Sequence, residues 1–170
     1  LAAALIQHRR AFPYRYALPQ TATVDDLIAA TEEASDAEPV LKSTSVVFAF
    51  PGQGCQVPGM GESLYRDLPG FRQAMDACAT ILQTQHGLDI KNLMFESADP
   101  LKDTSKTQIS LFCLGYALAC ALTGLGIRPA AAIGHSIGEL AAATLAGVFD
   151  LSTALRVVMT RGQVMQAQPS

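Results

Sequence analysis

Two short runs of small, β-branched or aromatic residues, SVVFAF at 45–50 and AAAIG at 130–134, are set among longer stretches whose apolar residues recur at helical intervals. The first run has almost no polar group, the pattern of a strand buried on both faces of a parallel sheet, and it stops abruptly at PGQG. The second leads straight into GHSIG. The spacing predicts helices at about 61–68, 70–85, 138–146 and 151–167, with an irregular polar stretch at about 86–106. From Thr107 to Ile127 the chain carries no charge, and this run predicts a further helix stopped by Pro129.

Residues 1–44 follow a different rhythm. LAAALIQHRR suits a short helix and YRYAL a short strand. TVDDLIAATEEAS then has Thr23 as an N-cap, acids in its first turn, and Leu27, Ile28 and Ala34 at helical intervals. The polar, proline-containing SDAEPVLKSTS reads as a linker, which puts a domain boundary near residue 44. The fold class expected is therefore α/β, a parallel sheet with flanking helices over 45–170, preceded by a small α+β segment over 1–44. No internal repeat or low-complexity tract interrupts this order. The chain opens at Leu1, with basic residues after the apolar ones, the reverse of a secretory signal, and is expected to be a piece of something longer.

Composition narrows the partners. A hydrophobic share of 49% against 16% charged residues argues for a substantial core, and a net charge of −3 with no basic block beyond Arg9-Arg10 gives nucleic acid or an anionic membrane nothing to grip. The charge-free run is long enough to span a bilayer. It carries Gln108, Ser110, Thr123 and three glycines, and passes through Arg128-Pro129 into the serine motif, so a buried core helix is expected instead. Cys55, Cys78, Cys113 and Cys120 form no C-x-x-C pair, as expected for reduced, mostly buried thiols of a cytoplasmic protein. His8, His86 and His135 lack ligand spacing with Cys, Asp or Glu, and no metal site is expected.

Candidate chemistry centres on Ser136. Where a strand turns sharply into a helix, the residue at the turn is held in a strained conformation that lifts its hydroxyl out of the sheet, and its neighbours must be almost free of side chain. Gly134 and Gly138 provide that room, AAAI before and ELAAATLAG after have strand and helix character, and the helix N-terminus would offer free N–H groups to a developing oxyanion. By pattern alone a structural turn remains open. PGQG falls at the carboxyl end of the other strand, the edge where sites assemble in open parallel sheets, and can lend a backbone N–H to the same oxyanion. It lacks the glycine and lysine spacing of nucleotide-binding loops.

Four segments, FAFPGQGCQVPGMG, TSKTQIS, GHSIGELAAATLAGVFDL and RGQVMQ, occur in the order seen in malonyl-CoA:acyl carrier protein transacylases, and the chain resembles the acyltransferase domains of modular polyketide synthases over about residues 46–170. Residues 1–44 resemble, more loosely, the tail of the linker that joins a ketosynthase to such a domain. The resemblance implies the α/β-hydrolase-like large acyltransferase subdomain, with Ser136 as the acylated nucleophile, the backbone N–H groups of Gln53 and Ile137 as the oxyanion hole, Arg161 as the grip on a malonyl carboxylate, and Gln108 as a pocket residue. A planar guanidinium suits that grip because it can bond both carboxylate oxygens, and leaving it unpaired penalises acyl groups without the charge. The aliphatic Ile137 directly after the serine accompanies malonyl use in similar domains.

The implied reaction loads malonyl from malonyl-CoA onto the phosphopantetheine thiol of an acyl carrier protein, in two steps through an acyl-serine, with no tightly bound cofactor. A general base must serve both steps. The family's catalytic histidine lies well downstream of the serine, whereas no histidine follows His135 here, so the chain is expected to be the front part of such a domain and inactive alone. The competing expectations are a serine hydrolase or thioesterase, which shares the serine elbow, and a non-catalytic linker or docking fragment.

Overall fold

A computed structural model describes residues 22–33, 45–96 and 103–167. The chain divides into two compact units, Leu1–Thr44 and Ser45–Ser170. In the first, helix α1 (Val24–Glu33) is closed at its start by a reciprocal cap: the Asp26 N–H donates to the Thr23 hydroxyl at 3.2 Å, and the Thr23 N–H donates to the Asp26 carboxylate at 2.7 Å. The elements expected at 1–10 and 14–18, and the linker at 35–44, lie outside the described residues.

The second unit runs β1 (Val47–Phe50), α2 (Glu62–Asp67), α3 (Pro69–His86), a π-helical turn (Asn92–Glu96), α4 (Thr104–Gly124), β2 (Ala131–Gly134), α5 (Ile137–Leu145) and α6 (Leu151–Gln166). The two strands pair in parallel, with Phe50 opposite Gly134. Helix α3 begins with Pro69, whose missing N–H costs nothing in a first turn, and ends at Gly87 with φ 65°. Its buried stripe is Phe71, Met75, Cys78 and Leu82. Asp103 caps α4 by accepting from the Ser105 N–H at 2.8 Å, and Asp150 caps α6 by accepting from the Thr153 N–H at 2.8 Å.

Helix α4 is the centre of the unit. It packs against α3, α5 and α6, and Ile109, Phe112, Cys113 and Ala117 on it are buried. It is long and apolar enough to cross a membrane, and its contacts with three neighbouring helices account for that composition as core. It does not run on to Pro129. The helix ends at Gly124, and Gly126 (φ 89°) reverses the chain before the proline is reached. The stretch expected to be irregular before α4 contains the π-helical turn, because Leu93 and Met94 have core to bury into.

Strand β1 is not buried on both faces. Phe48 and Phe50 point into the core, while Val47 is 51% exposed, as is Ile133 on β2 at 61%, so only one face of the sheet is covered among the described residues. Of the four thiols, Cys78 and Cys113 are buried, Cys120 is partly so and Cys55 is exposed. Burial, and then the neighbouring Cys78, push the Cys113 thiol well up, which keeps it protonated and unreactive.

Candidate active site

Ser136 stands where β2 turns into α5, with φ 55° and ψ −111°. It is the sole non-glycine residue with positive φ among the described residues. A conformation of this kind costs about 1–3 kcal/mol and persists only where the surroundings over-determine it. Here they do. A Cβ on Gly134 would fall 2.3 Å from the Glu139 nitrogen, and one on Gly138 would fall 2.2 Å from the Phe50 carbonyl oxygen. Both glycines are thus required by close backbone approach, and the second lets α5 start directly against the end of β1.

The PGQG loop is held to the same place by the sheet. The His135 N–H donates to the Phe50 carbonyl at 3.0 Å, continuing the strand pairing one step further, and a Cβ on Gly52 would lie 2.4 Å from His135 Nδ1. The Gly54 N–H is taken by the Gln56 side chain at 2.7 Å. Among the described residues no acceptor bonds the backbone N–H of Gln53 or of Ile137, the first residue of α5. The Ile137 side chain is turned into the core, the residue being 1% exposed.

The third contributor comes from α6. Arg161 donates through Nη2 to Ser136 Oγ at 2.8 Å and through Nη1 to Gln108 Oε1 at 2.5 Å. Gln108 sits in the first third of α4 and is 1% exposed. Its Nε2 donates to Met165 Sδ at 3.0 Å. These helices meet closely because residue 162 is glycine: a Cβ there would fall 2.8 Å from Ser105 Cα. The Thr104 N–H donating to the Gln166 side chain at 2.8 Å joins the same two helices at their ends.

Three of the five sequence-predicted site residues, Ser136, Arg161 and Gln108, are therefore in one hydrogen-bonded chain, and the loop bearing Gln53 abuts the residue before the serine. Met165 and Gly162 are additions that the sequence reading does not contain. Their signal is the RGQVMQ segment itself, since Met165 is four residues after Arg161 and shares its helix face. A cleft of about 380 Å³ is lined by Arg156, Val157, Thr160 and Arg161, all on α6. A separate groove of about 270 Å³ along β1 and α4 is lined by apolar side chains and Cys55 and has no charged group to grip a carboxylate.

A strained serine between strand and helix, unbonded amides nearby and an arginine on the hydroxyl are an arrangement compatible with acyl-transfer chemistry. The chain matches the acyl transferase domain family over residues 47–169 and belongs to it. It is 43% identical over 138 residues to a phenolphthiocerol/phthiocerol polyketide synthase polypeptide of Mycobacterium tuberculosis, covering 81% of this chain and 9% of that protein. Among solved structures, the acyl transferase domain of SpnD in complex with 2-(pent-4-yn-1-yl)malonyl is similar at 36% identity and TM-score 0.75, covering 96% of this chain and 40% of that one. A type II polyketide synthase malonyl-transacylase in complex with its acyl-carrier protein, PlMCAT:AntF, is similar at 32% identity and TM-score 0.66, covering 74% of this chain and 40% of that one. The chain thus spans less than a tenth of the mycobacterial relative, and two fifths of these solved chains.

Proposed function

We propose that the protein transfers a malonyl group from malonyl-CoA to the phosphopantetheine thiol of an acyl carrier protein, within a polyketide synthase, with Ser136 carrying the acyl group between them. The observation that carries this reading is the Arg161 to Ser136 hydrogen bond of 2.8 Å at a strained strand-to-helix turn. A cation within reach of the nucleophile suits an acyl group that ends in a carboxylate, and a hydrolase acting on an uncharged acyl chain has no use for it. Arg161 supports the malonyl assignment better than Ile137 does, because the Ile137 side chain is buried in the core.

In this mechanism the Ser136 oxygen attacks the thioester carbonyl, and the N–H groups of Gln53 and Ile137 receive the oxyanion. The tetrahedral intermediate collapses with loss of CoA as its thiol. The carrier thiol then attacks the acyl-serine, and the serine oxygen leaves with a proton. Among the described residues the bond made to Ser136 Oγ comes from Arg161, a donor, so the proton acceptor of the first step has to come from elsewhere. By resemblance it is a histidine downstream of the serine, and we propose that residues 1–170, which hold no histidine after His135, do not by themselves complete a transfer cycle. Residues 1–44 are read as the end of a linker from a ketosynthase, and the whole as cytoplasmic.

The test is to incubate the full-length protein with malonyl-CoA, with and without holo carrier protein, and to follow the Ser136 peptide by mass spectrometry. A malonyl adduct on Ser136 that is discharged by the carrier is expected. Free malonate as the main product in both arms would replace transferase by hydrolase, and an unmodified Ser136 would remove the catalytic reading altogether.

A further inference from the structure

Gln108 is a buried amide whose two ends are both committed. Its oxygen faces Arg161, which can only donate, and its nitrogen faces the Met165 sulfur, which can only accept. Both contacts demand the same orientation of the amide, and at 1% exposure water cannot offer another. The guanidinium consequently has one terminal nitrogen tied to α4 and the other directed at Ser136. Because the tie is an uncharged carbonyl, the cation is oriented without being neutralised. A carboxylate at this position would hold the arginine equally well and cancel the charge an incoming acyl carboxylate needs. The close crossing at Gly162 keeps α6 near enough to α4 for the contact to form.

We infer that Gln108 is a positioning residue that fixes the plane and preserves the free charge of Arg161, and so sets the preference for carboxylated over uncharged acyl groups. The inference rests on Arg161 being the carboxylate grip. The experiment compares acylation of Ser136 by malonyl-CoA and by acetyl-CoA in the full-length protein, in the parent and in Gln108→Glu, Gln108→Met and Arg161→Ala, with thermal unfolding of each. Gln108→Glu is expected to lower the malonyl-to-acetyl ratio of kcat/KM by about tenfold or more. Gln108→Met, uncharged and of similar volume, is expected to raise KM for malonyl-CoA by a larger factor than it changes the acetyl-CoA reaction, so that the malonyl-to-acetyl ratio falls. A purely structural role would depress both donors alike, and that result in Gln108→Met overturns the inference whether or not Gln108→Glu folds. An unaltered ratio in Gln108→Glu alongside a collapsed one in Arg161→Ala overturns it too, and leaves the grip in place. An unaltered ratio in Arg161→Ala removes the grip itself.

Discussion

The Arg161 guanidinium donates to the Ser136 hydroxyl oxygen across 2.8 Å, joining α6 to the turn that starts α5. The serine is the acceptor in this bond, so one lone pair is engaged while its proton stays free to leave. Any carboxylate that draws the guanidinium toward itself releases that lone pair. Under the proposed function, binding of the correct acyl group and exposure of the nucleophile are then the same event.

Arg161→Lys tests whether the planar fork matters or only the charge. An ammonium has no fixed fork with which to bond Gln108 and Ser136 together and still meet two carboxylate oxygens. The kcat/KM for malonyl-CoA should fall by about 10- to 100-fold, read by stopped-flow release of CoA. Parent-like kinetics in this variant would mean that charge alone suffices.

The backbone at Ser136 predicts an unusual stability result. Replacing Ser136 by Gly removes the Cβ that makes φ 55° costly, and the gain should exceed the chain-entropy penalty of the glycine, raising the unfolding midpoint by about 2–4 °C. Ser136→Ala keeps the Cβ and should leave the midpoint close to that of the parent. Both should lose the acyl adduct. Equal midpoints for the two variants would show that no strain is stored at the turn.

Ser110 Oγ is buried on α4 with no hydrogen-bond partner among the described residues. Ser110→Ala removes an unsatisfied hydroxyl and should stabilise by about 1 kcal/mol, seen as a higher urea midpoint at unchanged slope. A loss of stability instead would reveal a partner for that hydroxyl.

Asp76 on α3 accepts from the Tyr65 hydroxyl at 2.8 Å and from Lys91 at 3.1 Å. Burial pushes its carboxyl up, but the bonds from Tyr65 and Lys91 prevail and hold it below the ordinary 3.8. A depressed folded value means the native state binds fewer protons than the unfolded chain, so the contribution is fully present above 3.8 and is lost as pH falls through the folded value. The pair is half exposed and screened, so Asp76→Asn should cost less than about 1 kcal/mol at neutral pH. The gap between parent and variant should close on acidification and narrow in high salt. A gap that persists below that window would place the effect in packing.

How much of this is legible in the sequence differs from residue to residue. The elbow can be read because its requirements are local: a β-branched strand end, Gly134 and Gly138 flanking Ser136, and a helix after it. The cap at Thr23 and the breaks at Pro69 and Gly87 are equally local. The Gln108 to Arg161 bond spans 53 residues and depends on how α4 crosses α6, which no periodicity encodes; the resemblance points to both residues but not to their contact. Pro129 is the wrong punctuation for α4 because Gly126 can take positive φ and ends the helix first. The apolar run of β1 suggests two buried faces, whereas hydrophobicity alone cannot say how many faces are covered.

The parallel register of Phe50 with Gly134 governs more than the sheet. A slip of one residue would carry PGQG past the serine turn by about 3.3 Å, more than the length of a hydrogen bond. The two proposed amide donors therefore inherit their mutual distance from main-chain pairing and from glycines, not from any side chain at the mouth of the cleft. Under the proposed function, pocket residues other than Arg161 and Gln108 can vary with the admitted acyl group without altering the spacing of those two amide donors.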